Sequence, residues 1–150
     1  MAHSYTCLLY HLVFSTKGRE PWLQGELRPR LWEYLSGAIR GEGGFCLVAN
    51  GVADRVHLRV HLRQDKAVSD VLRAIKTNSS GWIREGFPKL GSFHWQDGYG
   101  AFTVSQSQME TVRRYIATQE AHHRKLTFQE EFLAFLKAHK IEYDEWYIWK

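Results

Sequence analysis

From Asp54 to Leu62 the chain reads Asp-Arg-Val-His-Leu-Arg-Val-His-Leu, and from Arg55 onward charged or imidazole side chains alternate with aliphatic ones without a break. A period of two is that of a β-strand, so Arg55, His57, Arg59 and His61 share one face while Val56, Leu58, Val60 and Leu62 line the other. The aliphatic face has to be buried against something. The opposite face gathers cations and imidazoles, which suits a phosphate or a metal ion.

The surrounding pattern supplies the partners for that strand. Tyr5 to Ser15 is rich in Leu, Val, Tyr and Phe and predicts a strand, broken by Thr16-Lys17-Gly18-Arg19-Glu20-Pro21. Leu27, Leu31, Tyr34, Leu35, Ala38 and Ile39 fall at helical spacing, and Gly41-Glu42-Gly43-Gly44 closes that helix. Phe45 to Val52 predicts a second strand, turned at Ala53-Asp54, with Asn50-Gly51 as a rival turn. A second helix is expected from Ser69 or Asp70 through Trp82 and Ile83. Asp97-Gly98, between Phe93-Gln96 and Tyr99-Val104, predicts a two-residue hairpin. A third helix starting at Ser105 or Ser107 is expected to run through Tyr115 and Gln119. Thr127 with Glu130 forms a capping box for a fourth.

That order predicts an α+β fold: a ferredoxin-like split βαβ sandwich with two helices on one face of an antiparallel sheet, plus C-terminal helices. The other face is expected to be open, where the third helix could bring Tyr115. At 150 residues the chain is read as one domain, with 1–105 as the sandwich and 106–150 as the tyrosine helix and tail.

Charge is unevenly spread. Residues 59–89 hold seven Lys or Arg against three acids, whereas residues 126–150 carry a net charge of −2. The central block therefore suits a polyanion, although a solvated helix face has the same signature. Two cysteines are too few for a disulfide framework or a cysteine zinc site, which fits a reducing cytoplasm. No stretch is apolar enough to span a bilayer.

Taken together, four stretches resemble the single-tyrosine transposases of the HUH superfamily, in the IS200-like and REP-associated branch. They are Asp54-Arg55-Val56-His57-Leu58; Trp95 to Phe102; Tyr115-Ile116-Ala117-Thr118-Gln119-Glu120-Ala121-His122-His123; and Phe128 to Phe132 continued through Ile141 to Glu145. The resemblance implies a nuclease and strand transferase acting on single-stranded DNA. Tyr115 would be the nucleophile, leaving a 5′-phosphotyrosine bond and a free 3′-hydroxyl. Gln119, one helical turn on, and His57 would bind Mg²⁺ or Mn²⁺, the ion polarising the scissile phosphate. It further implies a hairpin DNA substrate and a homodimer.

The family's first histidine is replaced by Arg55. A guanidinium has no lone pair to offer and stays protonated, so it cannot ligate a cation. Three arrangements remain open. Catalysis is lost while hairpin DNA is still bound; or another ligand substitutes, His61 being a candidate at roughly 13 Å along the strand; or the guanidinium replaces the metal and clamps the phosphate itself. Arg59, Arg73, Lys76, Arg84, Arg113 and Arg114 are the candidate DNA contacts, while His122, His123, Arg124 and Lys125 suit a solvated helix end. A lone tyrosine beside Val112 and Ile116 is ordinarily a core residue, so its catalytic assignment rests on the resemblance. An RNA-binding sandwich would need an RNP1-like basic-aromatic run, and none is present.

Overall fold

A computed structural model describes residues 4–118 and 127–144. It contains strands β1 (Leu9–Ser15), β2 (Phe45–Val52), β3 (Arg55–His61) and β4 (Gly100–Thr103). Its helices are α1 (Leu27–Gly41), α2 (Val68–Gly86), α3 (Met109–Ala117) and α4 (Phe128–Ala138). The strands form one antiparallel sheet in the order β2-β3-β1-β4, which is the split βαβ arrangement.

Alternation decides which face each side chain meets. Val56, Leu58, Val60 and Leu62 join Leu12 and Phe14 of β1 in a core closed by Leu31, Leu35 and Ile39 of α1 and Leu72, Ile75 and Ile83 of α2. Each such fully buried aliphatic contributes about 1.5–3 kcal/mol. The turn between β2 and β3 falls at Ala53-Asp54, and Asn50-Gly51 lies inside β2. A side chain on Gly51 would run into the Arg55 carbonyl, so the strand passes too close there for anything but glycine.

Two expectations are corrected. The segment 93–96 is not a hairpin strand; it makes a single bridge, Thr16 with Trp95, while β4 pairs with β1. Phe93 and Trp95 are drawn into the core, Trp95 Nε1 donating to Ser79 Oγ at 2.9 Å. Gln96 ties itself to Ser15 through both its backbone and its side chain. These contacts outweigh the local hairpin preference of Asp97-Gly98. The second face of the sheet is also not open. Val13 and Phe102 pack there against Phe128, Phe132 and Leu136 of α4, and α3 lies over β2. Gly100 permits this, since a Cβ there would meet Val13, Phe102 and Phe132 at 2.9–3.0 Å.

Candidate active site

The covered face encloses the polar half of β3. Register places Arg55 opposite Ser15, His57 opposite Val13 and Arg59 opposite His11. Arg55, His57 and Arg59 are all fully buried, as is nearly all of Glu131 from α4. Such groups are tolerated inside a protein only when they find partners.

Glu131 is the hub. His57 Nε2 lies 2.8 Å from its Oε1, and Arg55 Nε lies 3.2 Å from the same oxygen. The Tyr115 hydroxyl donates to Oε2. One carboxylate thus receives an imidazole, a guanidinium and a phenol. A carboxylate can only accept, which makes His57 Nε2 the donor. On the other side of the ring, His57 Nδ1 lies 2.8 Å from His11 Nε2.

Neighbouring elements hold these parts in place. Glu131 falls in the buried stripe Phe128, Glu131, Phe132 and Leu136, and the capping box between Thr127 and Glu130 starts that helix. Asn50 of β2 donates from Nδ2 to the carbonyls of Ile116 and Ala117, at 3.1 and 3.3 Å, and so caps the end of the tyrosine helix. Ile116 is buried beside it. The half-buried Tyr115 ring sits 5.9 Å from the His57 ring and 5.7 Å from that of Phe135.

Electrostatics follow from this packing. Burial raises the Tyr115 hydroxyl well above the ordinary phenol value near 10, the bond and charge of Glu131 raise it further, and Arg55 only partly offsets them. For Glu131, burial pushes upward, but the hydrogen bond and charge of His57, the charge of Arg55 and the Tyr115 bond outweigh it. Its carboxyl is held below 4.5. Burial, then the charges of His57, Arg59 and His139, keep His11 well below 6.5 and therefore neutral.

The sequence-derived candidates separate in space. Arg55, His57 and Tyr115 meet at Glu131. Gln119 lies outside the described residues, as do His122, His123, Arg124 and Lys125. Arg59 is a correction, since its expected place on an open basic face does not exist. Its guanidinium is enclosed, with Nε and Nη2 making no hydrogen bond among the described residues, and burial lowers its basicity. His61 turns to the Thr6 carbonyl at the far end of the strand and takes no part in the site.

On the opposite side, Arg73 and Lys76 line a cleft of about 390 Å³ with Thr77, His94, Gln96 and Tyr99. Lys76 Nζ clamps the carbonyls of Gln96 and Gly98, at 2.8 Å each, and burial lowers it to about 8. Arg84 donates to the Phe93 carbonyl, and Arg113 pairs with Glu110 on an exposed helix face shared with Arg114.

The pattern of the sequence does not single out Glu131 or His11 as site residues. The available signal was an acid at a position of α4 that should be apolar, between Phe128 and Phe132.

The described residues do not fit a divalent ion at His57. Both of its ring nitrogens are engaged, and the nearest neighbour at the position of the second ligand is a buried cation, Arg55. No group of three or more His, Cys, Asp or Glu among the described residues is arranged to hold a metal.

With this geometry, residues 4–119 match the protein family described as Transposase IS200 like. The chain belongs to that family. Among relatives of this IS200-like transposase is the ISDra2 transposase TnpA of Deinococcus radiodurans, 27% identical over 117 residues, covering 75% of this chain and 84% of that protein. A crystal structure of a candidate transposase from Deinococcus radiodurans R1 superposes with a TM-score of 0.65 at 26% identity, covering 79% of this chain and 96% of that one. A REP-associated tyrosine transposase, solved bound to a REP hairpin, shares the fold with a TM-score of 0.61 at 14% identity, over 82% of this chain and 73% of that one.

Proposed function

We propose that this IS200-like transposase cleaves and rejoins single-stranded DNA through a covalent 5′-phosphotyrosine on Tyr115, after binding hairpin DNA at the ends of the segment it moves. The observation that carries this reading is the delivery of the Tyr115 hydroxyl to the same carboxylate that Arg55 and His57 hold. A nucleophile, two nitrogen donors and an exchangeable acidic group within one enclosure are the parts phosphoryl transfer requires.

Tyr115 attacks phosphorus and the 3′-oxygen leaves. The phosphodiester energy is kept in the tyrosine ester, so rejoining needs no nucleotide cofactor. Because Arg55, His57 and Glu131 are enclosed, the helix α4 has to shift before DNA reaches them. The exposed Arg73, Arg113 and Arg114 suit the flanking phosphates, and the REP-hairpin complex of a protein with the same fold supports hairpin DNA as the ligand. A homodimer, with the tyrosine helix of one copy completing the site of the other, belongs to the same reading.

The buried Arg55–Glu131 pair favours a second reading, in which the chain binds hairpin DNA but has lost strand cleavage.

Incubation with the palindromic DNA flanking its own gene, followed by a denaturing gel, tests the first reading. A protein–DNA adduct is expected from the wild type and none from Tyr115→Phe. Hairpin binding with no adduct under any metal condition would leave the second reading standing.

A further inference from the structure

We propose that Arg55 and His57 form a metal-independent clamp for one phosphodiester, whose non-bridging oxygen takes the place that Glu131 Oε1 now holds. The proposal rests on Tyr115 as the nucleophile and extends it to the charge that activates the phosphate.

The geometry of the carboxylate is its basis. Glu131 Oε1 is an anionic oxygen gripped by a guanidinium nitrogen at 3.2 Å and an imidazole nitrogen at 2.8 Å. Its partner oxygen touches the nucleophile. A phosphodiester monoanion has the same charge and the same kind of acceptor oxygen. Seated there, its phosphorus lies next to the Tyr115 oxygen. A guanidinium is planar and permanently charged, and its five donors exceed what one carboxylate uses, so it can bind a phosphate in place of Glu131 Oε1.

The pocket is also built for an anion rather than a cation. Arg59 adds a second buried guanidinium four residues along the strand from Arg55, opposite His11. Inside such a dry enclosure, fixed positive charge stabilises a phosphoryl transition state far more than it would in water. His11 Nε2 meets His57 Nδ1, which keeps His57 Nε2 aimed at the clamp.

In the step, the Tyr115 oxygen forms its bond to phosphorus and, Glu131 having moved away with α4, its proton passes to water. The P–O3′ bond breaks, and the 3′-oxygen leaves with the electron pair and takes a proton from water. Rejoining is the reverse. Arg55 and His57 hold the same non-bridging oxygen throughout, as they hold Glu131 Oε1.

The experiment follows adduct formation on a 3′-labelled oligonucleotide carrying the palindrome beside the gene, in excess EDTA, in Mg²⁺ and in Mn²⁺. The wild type is expected to form the adduct in EDTA within about twofold of its Mg²⁺ rate. Arg55→Gln is expected to lose at least a hundredfold in all three. Arg55→His is expected to become Mn²⁺-dependent, and to show a bound Mn²⁺ signal by electron paramagnetic resonance that the wild type lacks.

A wild-type adduct that forms with Mg²⁺ or Mn²⁺ but disappears in EDTA overturns the clamp and leaves the Tyr115 chemistry intact. No wild-type adduct under any condition, with one regained by Arg55→His in Mn²⁺, also overturns it, because Arg55 would then be a lesion. No adduct from either protein overturns both the clamp and the Tyr115 chemistry. The wild-type comparison needs no variant, so poor folding of an Arg55 substitution cannot mask the result.

Discussion

Arg55 of β3 and Glu131 of α4 lie 76 positions apart in the chain, yet their Nε and Oε1 atoms are 3.2 Å apart, and neither side chain is more than 1% exposed. The pair joins the C-terminal helix to the sheet at the same point that holds Tyr115. Stability and chemistry are therefore coupled at this contact.

Removing one partner leaves a buried charge without compensation. Glu131→Ala is expected to cost about 3–5 kcal/mol. For a chain of this size that is a fall in melting temperature of order 10 °C. Differential scanning calorimetry checks this; a change below 2 °C would mean that the carboxylate contributes little.

The acid limb of stability carries the same signature. Glu131 is held below its ordinary value of 4.5 in the fold. Its contribution is present above pH 4.5 and is lost as pH falls through the folded value, because the unfolded chain then binds more protons. Glu131→Gln should remove that part of the acid dependence in urea titrations between pH 6 and 3.

Lys76 acts with the same sign at high pH. Burial lowers it from 10.5 to about 8 while it clamps the Gln96 and Gly98 carbonyls. Between those two values the unfolded chain holds more protons, so stability rises with pH across the window. Lys76→Met should flatten that rise. A reductively methylated Lys76 should titrate near pH 8 by nuclear magnetic resonance.

Asn50 is expected to act on Tyr115 at a distance. Asn50→Ala removes two donors from the last carbonyls of α3, at about 1 kcal/mol. Adduct formation should fall several-fold while hairpin affinity stays within twofold, as measured by gel shift.

Much of this was legible in the sequence. Period-two patterning over Asp54–Leu62 fixed the inner face of β3, and helical spacing located α1 and α2. Thr127 and Glu130 announced the start of α4. Local signals were insufficient where long-range packing decides. Asp97-Gly98 has the residues of a hairpin turn, but Trp95 and Gln96 gain more by joining Ser79 and Ser15. Arg59 alternates with buried aliphatics as a solvent-facing cation would, but α3 and α4 cover that side of the sheet. Glu131 follows a capping-box glutamate and reads as another first-turn acid, although its place in the stripe with Phe128 and Phe132 is the one signal that it points inward.

Tyr115 as the nucleophile is the central claim, and peptide mapping tests it most directly. After reaction with the hairpin oligonucleotide, nuclease digestion and proteolysis, mass spectrometry should find a residual nucleotide esterified through its 5′-phosphate to Tyr115. Finding the nucleotide on any other residue, or an undiminished adduct in Tyr115→Phe, would contradict the account.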